Sequence, residues 1–203
     1  MRSIFDSLPK PADRNRQALR ADLELRRDRW DNPTPYVYRG GADLVLRHGQ
    51  FYAGRVLPDA YEHLVGAESE CFTNALLAAT ADPSLAYCEG YFWSGQGHAL
   101  THAWCVGPDG GVVEVTIPTV DVDRYVHETL LPYLPVSGWA YWGVTFTVEL
   151  ATAFNDWRGL PMLDRSEREI AWGAAHAPHL DMTPDEDYPI LAVPYDPQRK
   201  DLP

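Results

Sequence analysis

One short stretch constrains the fold more than any other: LTHAWCVGPDGGVVEVTI, residues 100–117. Two runs of aromatic and β-branched residues flank Pro108, Asp109, Gly110 and Gly111. An Asp-Gly pair adopts the left-handed backbone that a tight hairpin turn needs, so the stretch reads as two antiparallel strands. Side chains alternate along a strand. His102, Trp104 and Val106 therefore share one face of the first strand, with Ala103 and Cys105 on the other, and Val112, Glu114 and Thr116 share a face of the second. Folding at the turn sets Glu114 beside His102, where a carboxylate would hold one imidazole tautomer.

Upstream lies SECFTNALLAAT, residues 69–80. Ser69 reads as the N-cap of a helix beginning near Cys71, with Glu68 and Glu70 at the positive end of its dipole. Phe72, Ala75, Leu76 and Ala79 form its buried face, and Asp82-Pro83 stops it. A helix N-terminus and a nearby imidazolium both favour a thiolate. The chain order Cys71, His102, Glu114 is thus what a thiol nucleophile with a base and an orienting acid requires. The plainer alternatives are a small buried hydrophobe for Cys71 and an exposed strand residue for Glu114. Asp109 is the other possible acid, although a turn Asp already has a structural reason to be there.

Acyl transfer also needs an oxyanion hole. The backbone N–H of Cys71 is one donor by position, and Gln50 is a candidate side-chain donor or else a solvated residue. Asn74, one turn after Cys71, points to the same cleft or to solvent. Glu89, a carboxylate in the apolar run LAYCEGYFW, binds a cationic substrate group or pairs with an arginine. Tyr91, Trp93, Trp104, Trp139 and Trp142 are candidates for an aromatic substrate wall, in a chain with 7 Trp, 11 Tyr and 6 Phe.

The formal net charge of -12 opposes nucleic-acid binding, which needs a clustered basic surface. The arginines between Arg14 and Arg29 are interleaved with Asp22, Glu24 and Asp28, as on a solvated helix face. Three cysteines preclude a fully paired disulfide framework. Cys71, Cys88 and Cys105 contain no CxxC knuckle, so Cys88 and Cys105 read as core thiols and a zinc site is the competing chemistry. No metal or cofactor is expected, and the partner is a small-molecule or peptide substrate. With no leader-like segment and no run of about 20 apolar residues, the expectation is a cytoplasmic protein without a membrane partner.

Along the chain, Pro11 opens a helix running to about Trp30, with Ala18, Leu19, Leu23 and Trp30 at helical spacing. It ends before DNPTP. YVYRGG predicts a strand and turn, and ADLVLRHGQFYAGRVLP two short strands about His48-Gly49. After the hairpin, residues 120–135 carry prolines that limit any helix to a turn or two. GWAYWGVTFTV predicts a strand, ELATAFNDWRG a helix ended by Gly159, and DRSEREIAWGAAH another. From Ala177 the chain is a Pro-rich acidic tail. The pattern is α+β with segregated elements in a single domain: residues 1–35 a helix and linker, 36–160 the core, and 161–203 a helix and tail.

Cys71 opening a helix, His102 in HAW and the acid in VVEVT together resemble the core of transglutaminase-like and papain-like cysteine enzymes, over about residues 69–116. Glu114 stands where that family commonly has Asp, one methylene shorter. The wider series CFTNAL, YCEGY, HAWCV, VVEVT and WGVTF is similar to a set of bacterial and phage proteins, a likeness that brings no substrate. The family resemblance implies a Cys-bearing helix packed on an antiparallel sheet. It also implies thiol-dependent acyl transfer by a hydrolase or transferase, with Cys71 attacking an amide or ester, His102 moving the proton and Glu114 orienting His102. Two other functions compete: a non-catalytic binding module on the same scaffold, and an ADP-ribosyltransferase suggested by YVYRG, which would need Arg39 and an acid such as Glu149.

Overall fold

A computed structural model of the protein describes residues 11–29, 40–95, 97–117 and 138–163. The elements are helix α1 (Pro11–Asp28), helix α2 (Gly40–His48), strand β1 (Gln50–Ala53), a 3-10 turn (Asp59–Leu64), helix α3 (Cys71–Ala81), strands β2 (Ala86–Trp93), β3 (Leu100–Val106), β4 (Val112–Val113) and β5 (Ala140–Phe146), and helix α4 (Val148–Arg158). The class is α+β, with one antiparallel sheet in the order β1-β5-β2-β3-β4. Among the described residues no helix is long and apolar enough to cross a membrane. The expected strand over YVYR, the segment after the hairpin, the helix at DRSEREIAWGAAH and the tail lie outside the described residues.

Period-2 alternation gives the sheet two different faces. Tyr87, Tyr91, Ala103, Cys105, Val113, Ala140, Trp142, Val144 and Phe146 pack with the helices in the larger core. There α1 contributes Leu19 and Leu23, one turn apart and wholly buried, each burial stabilising by about 1.5–3 kcal/mol. The opposite face is almost entirely aromatic: Tyr52, Phe92, Trp104, Trp139 and Tyr141 cluster with Cys88, Val106 and Val112. His102 belongs to this second face, flanked by Phe92 and Trp104 with ring centroids 5.5 and 6.2 Å away.

Two sequence expectations change. Residues 42–48 are helical, so the expected hairpin over residues 42–57 does not form, and within it only Gln50–Ala53 is a strand. Asp43 and Arg47, four apart, form an ion pair at 2.9 Å along the helix, and Gly49 N–H closes it by donating to Val45 O. Short apolar runs fit either period, and this i,i+4 pair was the distinguishing signal. The second strand of the 100–117 hairpin is also shorter than expected, ending at Val113. The N–H groups of Thr116 and Ile117, which a longer strand would give to a ladder, go instead to the Glu114 carboxylate.

One row of the sheet joins Gln50, Gly143, Gly90 and His102 across four strands. The two glycines leave that row without side chains in the middle, and the Trp104 ring fills the space. A Cβ on Gly143 would sit 2.5 Å from the Trp104 ring and 2.6 Å from the Glu89 carbonyl oxygen. A mid-strand glycine marks such a close approach. Gly143→Ala is expected to destabilise the protein by about 2–3 kcal/mol, measured as a lower urea midpoint with an unchanged m-value.

Candidate active site

The Ala-rich segment begins its helix at Cys71, but Ser69 does not cap it. Glu70 holds the cap position without a side-chain hydrogen bond, and Ser69 takes a left-handed φ of 68° as the chain turns into the helix. A non-glycine residue in that region stores about 1–3 kcal/mol of strain. Asn74 N–H is bonded to Glu70 O at 2.8 Å. The first-turn N–H groups, Cys71's among them, precede the first residue able to bond within the helix. Cys71 is half-buried, whereas Cys88 and Cys105 are buried.

Asn74 faces neither open cleft nor solvent. Buried, it donates to Ala67 O at 2.7 Å and to Thr116 Oγ1 at 2.9 Å. Its carboxamide fills the space beside Gly66, where a Cβ would meet it at 2.0 Å, and Gly66 N–H donates to Val115 O. These bonds tie the first turn of α3 to the 114–117 turn and so set Cys71 relative to Glu114.

The hairpin brings His102 and Glu114 together. His102 Nε2 donates to Glu114 Oε2 at 2.8 Å, with both side chains nearly excluded from solvent. Glu114 Oε1 accepts the Thr116 and Ile117 N–H groups at 3.0 and 3.1 Å, and Tyr141 O–H donates to Oε2 at 3.1 Å. With Nε2 engaged, Nδ1 is the ring nitrogen left over, and Cys71 lies close enough to the ring to interact with it electrostatically.

Burial by itself would pull the His102 pKa down. The Glu114 charge and hydrogen bonds with Cys71 and Glu114 outweigh it and lift His102 to about 10. Burial would likewise raise Glu114, but the His102 charge and the hydrogen bonds from His102, Ile117 and Thr116 bring it below the ordinary carboxylate value. Burial lifts the thiols of Cys88 and Cys105, reinforced by the nearby Glu89 and Glu114 charges respectively.

The other candidates separate. Gln50 is not brought to Cys71. It sits on β1, three inter-strand steps from His102, roughly 14 Å at ordinary strand spacing, and its Oε1 accepts from Tyr52 O–H. Glu89 points to the helix-covered face, where its carboxylate accepts Tyr87 O–H and the N–H groups of Met162 and Leu163. It anchors the chain after α4. Tyr91 lies on that face too, with the Arg26 guanidinium 5.3 Å above its ring. Strand phase therefore splits the expected aromatic wall: Trp104 and Trp139 join His102, while Tyr91, Trp93 and Trp142 pack on the helix side. Trp104 remains with the site, and its indole N–H is a buried polar atom without a hydrogen-bond partner.

Cys88 and Cys105 are on opposite faces of the sheet, so they do not share an ion with Cys71, and no metal-binding group of His, Cys, Asp or Glu exists among the described residues. Asp109 is exposed and paired with Arg55 in the turn. Glu149 is exposed in the first turn of α4, and Arg39 lies outside the described residues. Sequence inspection missed Tyr141, whose phase in AYWGVTF puts it on the His102 face. It also missed the two backbone donors after Glu114. A groove of about 420 Å³ between α1 and α2 is lined mostly by charged residues such as Arg20, Asp43 and Arg47.

No known protein family matches the chain, and no curated protein or solved structure does either.

Glu114 is held below its free value of 4.5 and His102 above its free value of 6.5. The Glu114 contribution to stability is complete above pH 4.5 and lost as pH falls through its folded value. The His102 contribution is complete below pH 6.5 and lost as pH rises toward about 10. Thermal unfolding should therefore show greatest stability between these limits and a decline on the alkaline side, and His102→Gln should flatten that decline.

Proposed function

We propose that the protein is a cysteine-dependent acyl-transfer enzyme acting on an amide or ester, with a papain-like or transglutaminase-like core. One observation carries this: a buried His102–Glu114 pair at 2.8 Å whose ring interacts electrostatically with the half-buried thiol of Cys71, first residue of α3. A nucleophile, a base and a group orienting the base are the components such chemistry needs.

In this reading the Cys71 proton already rests on His102 Nδ1, as the raised pKa of that ring requires, and the sulfur attacks the carbonyl carbon. The carbonyl π electrons move to oxygen, and the Cys71 N–H, at a helix start, is suited to stabilise that oxyanion. When the carbonyl re-forms, the C–N or C–O bond breaks and His102 gives its proton to the departing amine or alcohol. Water or an amine, deprotonated by His102, then attacks the thioester and releases the thiol. Glu114 keeps Nε2–H engaged throughout, so Nδ1 always faces the sulfur. Hydrolysis and amide formation differ only in the second acceptor. Glu in place of Asp extends the acid by one methylene, and the two N–H groups of Thr116 and Ile117 take up that length by fixing Oε1.

Iodoacetamide treatment near pH 7 with peptide mapping should label Cys71 selectively in the folded protein. His102→Ala should slow labelling about tenfold or more, because an unassisted thiol is only a few per cent thiolate at that pH. Wild-type Cys71 that stays unreactive while folded would rule the proposal out.

A further inference from the structure

We infer that Tyr141 is a positioning residue of this site, its hydroxyl holding the Glu114 carboxylate as an ionised acceptor aimed at His102; the inference rests on the role proposed above for Cys71, His102 and Glu114. Glu114 Oε2 accepts from both His102 Nε2 and Tyr141 O–H, while Oε1 accepts two backbone N–H groups. Four donors occupy the roughly four acceptor positions of a carboxylate, so a proton arriving on Glu114 would displace one of them.

Tyr141 is placed firmly enough for this task. It is completely buried in the middle strand pair, between Phe92 and Trp104 at 4.9 and 5.1 Å. Burial first, and the Glu114 charge second, keep its phenol protonated well beyond the ordinary tyrosine range, so it remains a donor. A phenylalanine would fill the same space; the hydroxyl adds only the bond to Glu114. The consequence is that the proton taken from Cys71 stays on His102, because Glu114 is stabilised in its charged form. The titratable groups interacting with this pair are Cys71 on α3, His102 and Cys105 on β3, and Tyr141 on β5, with Cys88 and Tyr52 on the same aromatic face.

The experiment follows the Glu114 carboxyl carbon by NMR across pH in wild-type, Tyr141→Phe and Tyr52→Phe proteins, alongside the pH profile of Cys71 alkylation. Tyr52 is the cross-strand partner of Tyr141, and its hydroxyl meets Gln50 instead of Glu114. Loss of a hydrogen bond to a charged group should raise the Glu114 midpoint by about one pH unit in Tyr141→Phe, and the acid limb of alkylation should move with it. Tyr52→Phe should leave both unchanged. An unmoved Glu114 midpoint in Tyr141→Phe, or an equal shift in Tyr52→Phe, would overturn the inference. Should Tyr141→Phe fail to fold, the wild-type Tyr141 Cζ resonance is read instead: it should titrate with the Glu114 midpoint, and an invariant resonance would overturn the inference. Because carboxyl titration needs no reactive thiol, failure here is distinct from an unreactive Cys71, which would bear on the proposed function.

Discussion

A buried carboxylate with four hydrogen-bond donors is the constraint around which this structure is arranged. An isolated charge cannot be held in a protein interior without compensation. Glu114 is 1% exposed, and His102, Tyr141 and two backbone N–H groups supply that compensation. Each donor imposes a local condition. The backbone pair curls the chain after Val113 and ends β4. The imidazole demands that β3 and the 114–117 turn lie side by side. The phenol demands that β5 place Tyr141 on that same face, two strands away from β3. Asn74 then links the Thr116 hydroxyl to the first turn of α3, so the carboxylate's surroundings also determine where Cys71 stands.

The two faces of the sheet divide the work. The helix side is an ordinary core, and Glu89, another buried carboxylate, is engaged there by Tyr87, Met162 and Leu163. The aromatic side surrounds the His102–Glu114 pair with rings, whose low polarity strengthens each hydrogen bond in the network. Gly143 leaves the room in which Trp104 lies across the sheet beside His102, and Gly90 the room for the β5 backbone against β2. Glu89 and Glu114 are thus similar in burial and different in setting. Glu89 meets a phenol and backbone N–H groups, while Glu114 also meets an imidazole.

Legibility in the sequence followed the strength of local periodicity. The hairpin was readable because a period of two and an Asp-Gly turn agree. Their agreement places His102, Trp104 and Glu114 on one face without any long-range contact. The start and end of α3 were equally readable from its Ala-rich run and Asp82-Pro83, although the cap was not, because Ser69 adopts a backbone conformation that ordinary capping does not use. Residues 42–47 read as extended because a few apolar positions satisfy either period, whereas the Asp43–Arg47 pair and packing against α1 go with a helix. The aromatic residues were readable as a set but not by face. Tyr91 and Trp104 look alike in composition, and only the phase of each strand against its neighbours separates them.

The amino-acid sequence by itself determined the α+β class, the helix that begins at Cys71 and the pairing of His102 with the acid after the turn. These depend on interactions within a few residues or across one tight hairpin, where propensity and alternation act directly. Tertiary structure decided which strand lies next to β2, which face the helices cover, and hence that Tyr141 joins the site while Tyr91, Glu89 and Gln50 do not. Those outcomes depend on contacts between segments far apart in the chain. Burial and the requirement that every buried charge find its donors select among arrangements that local patterns leave equally open.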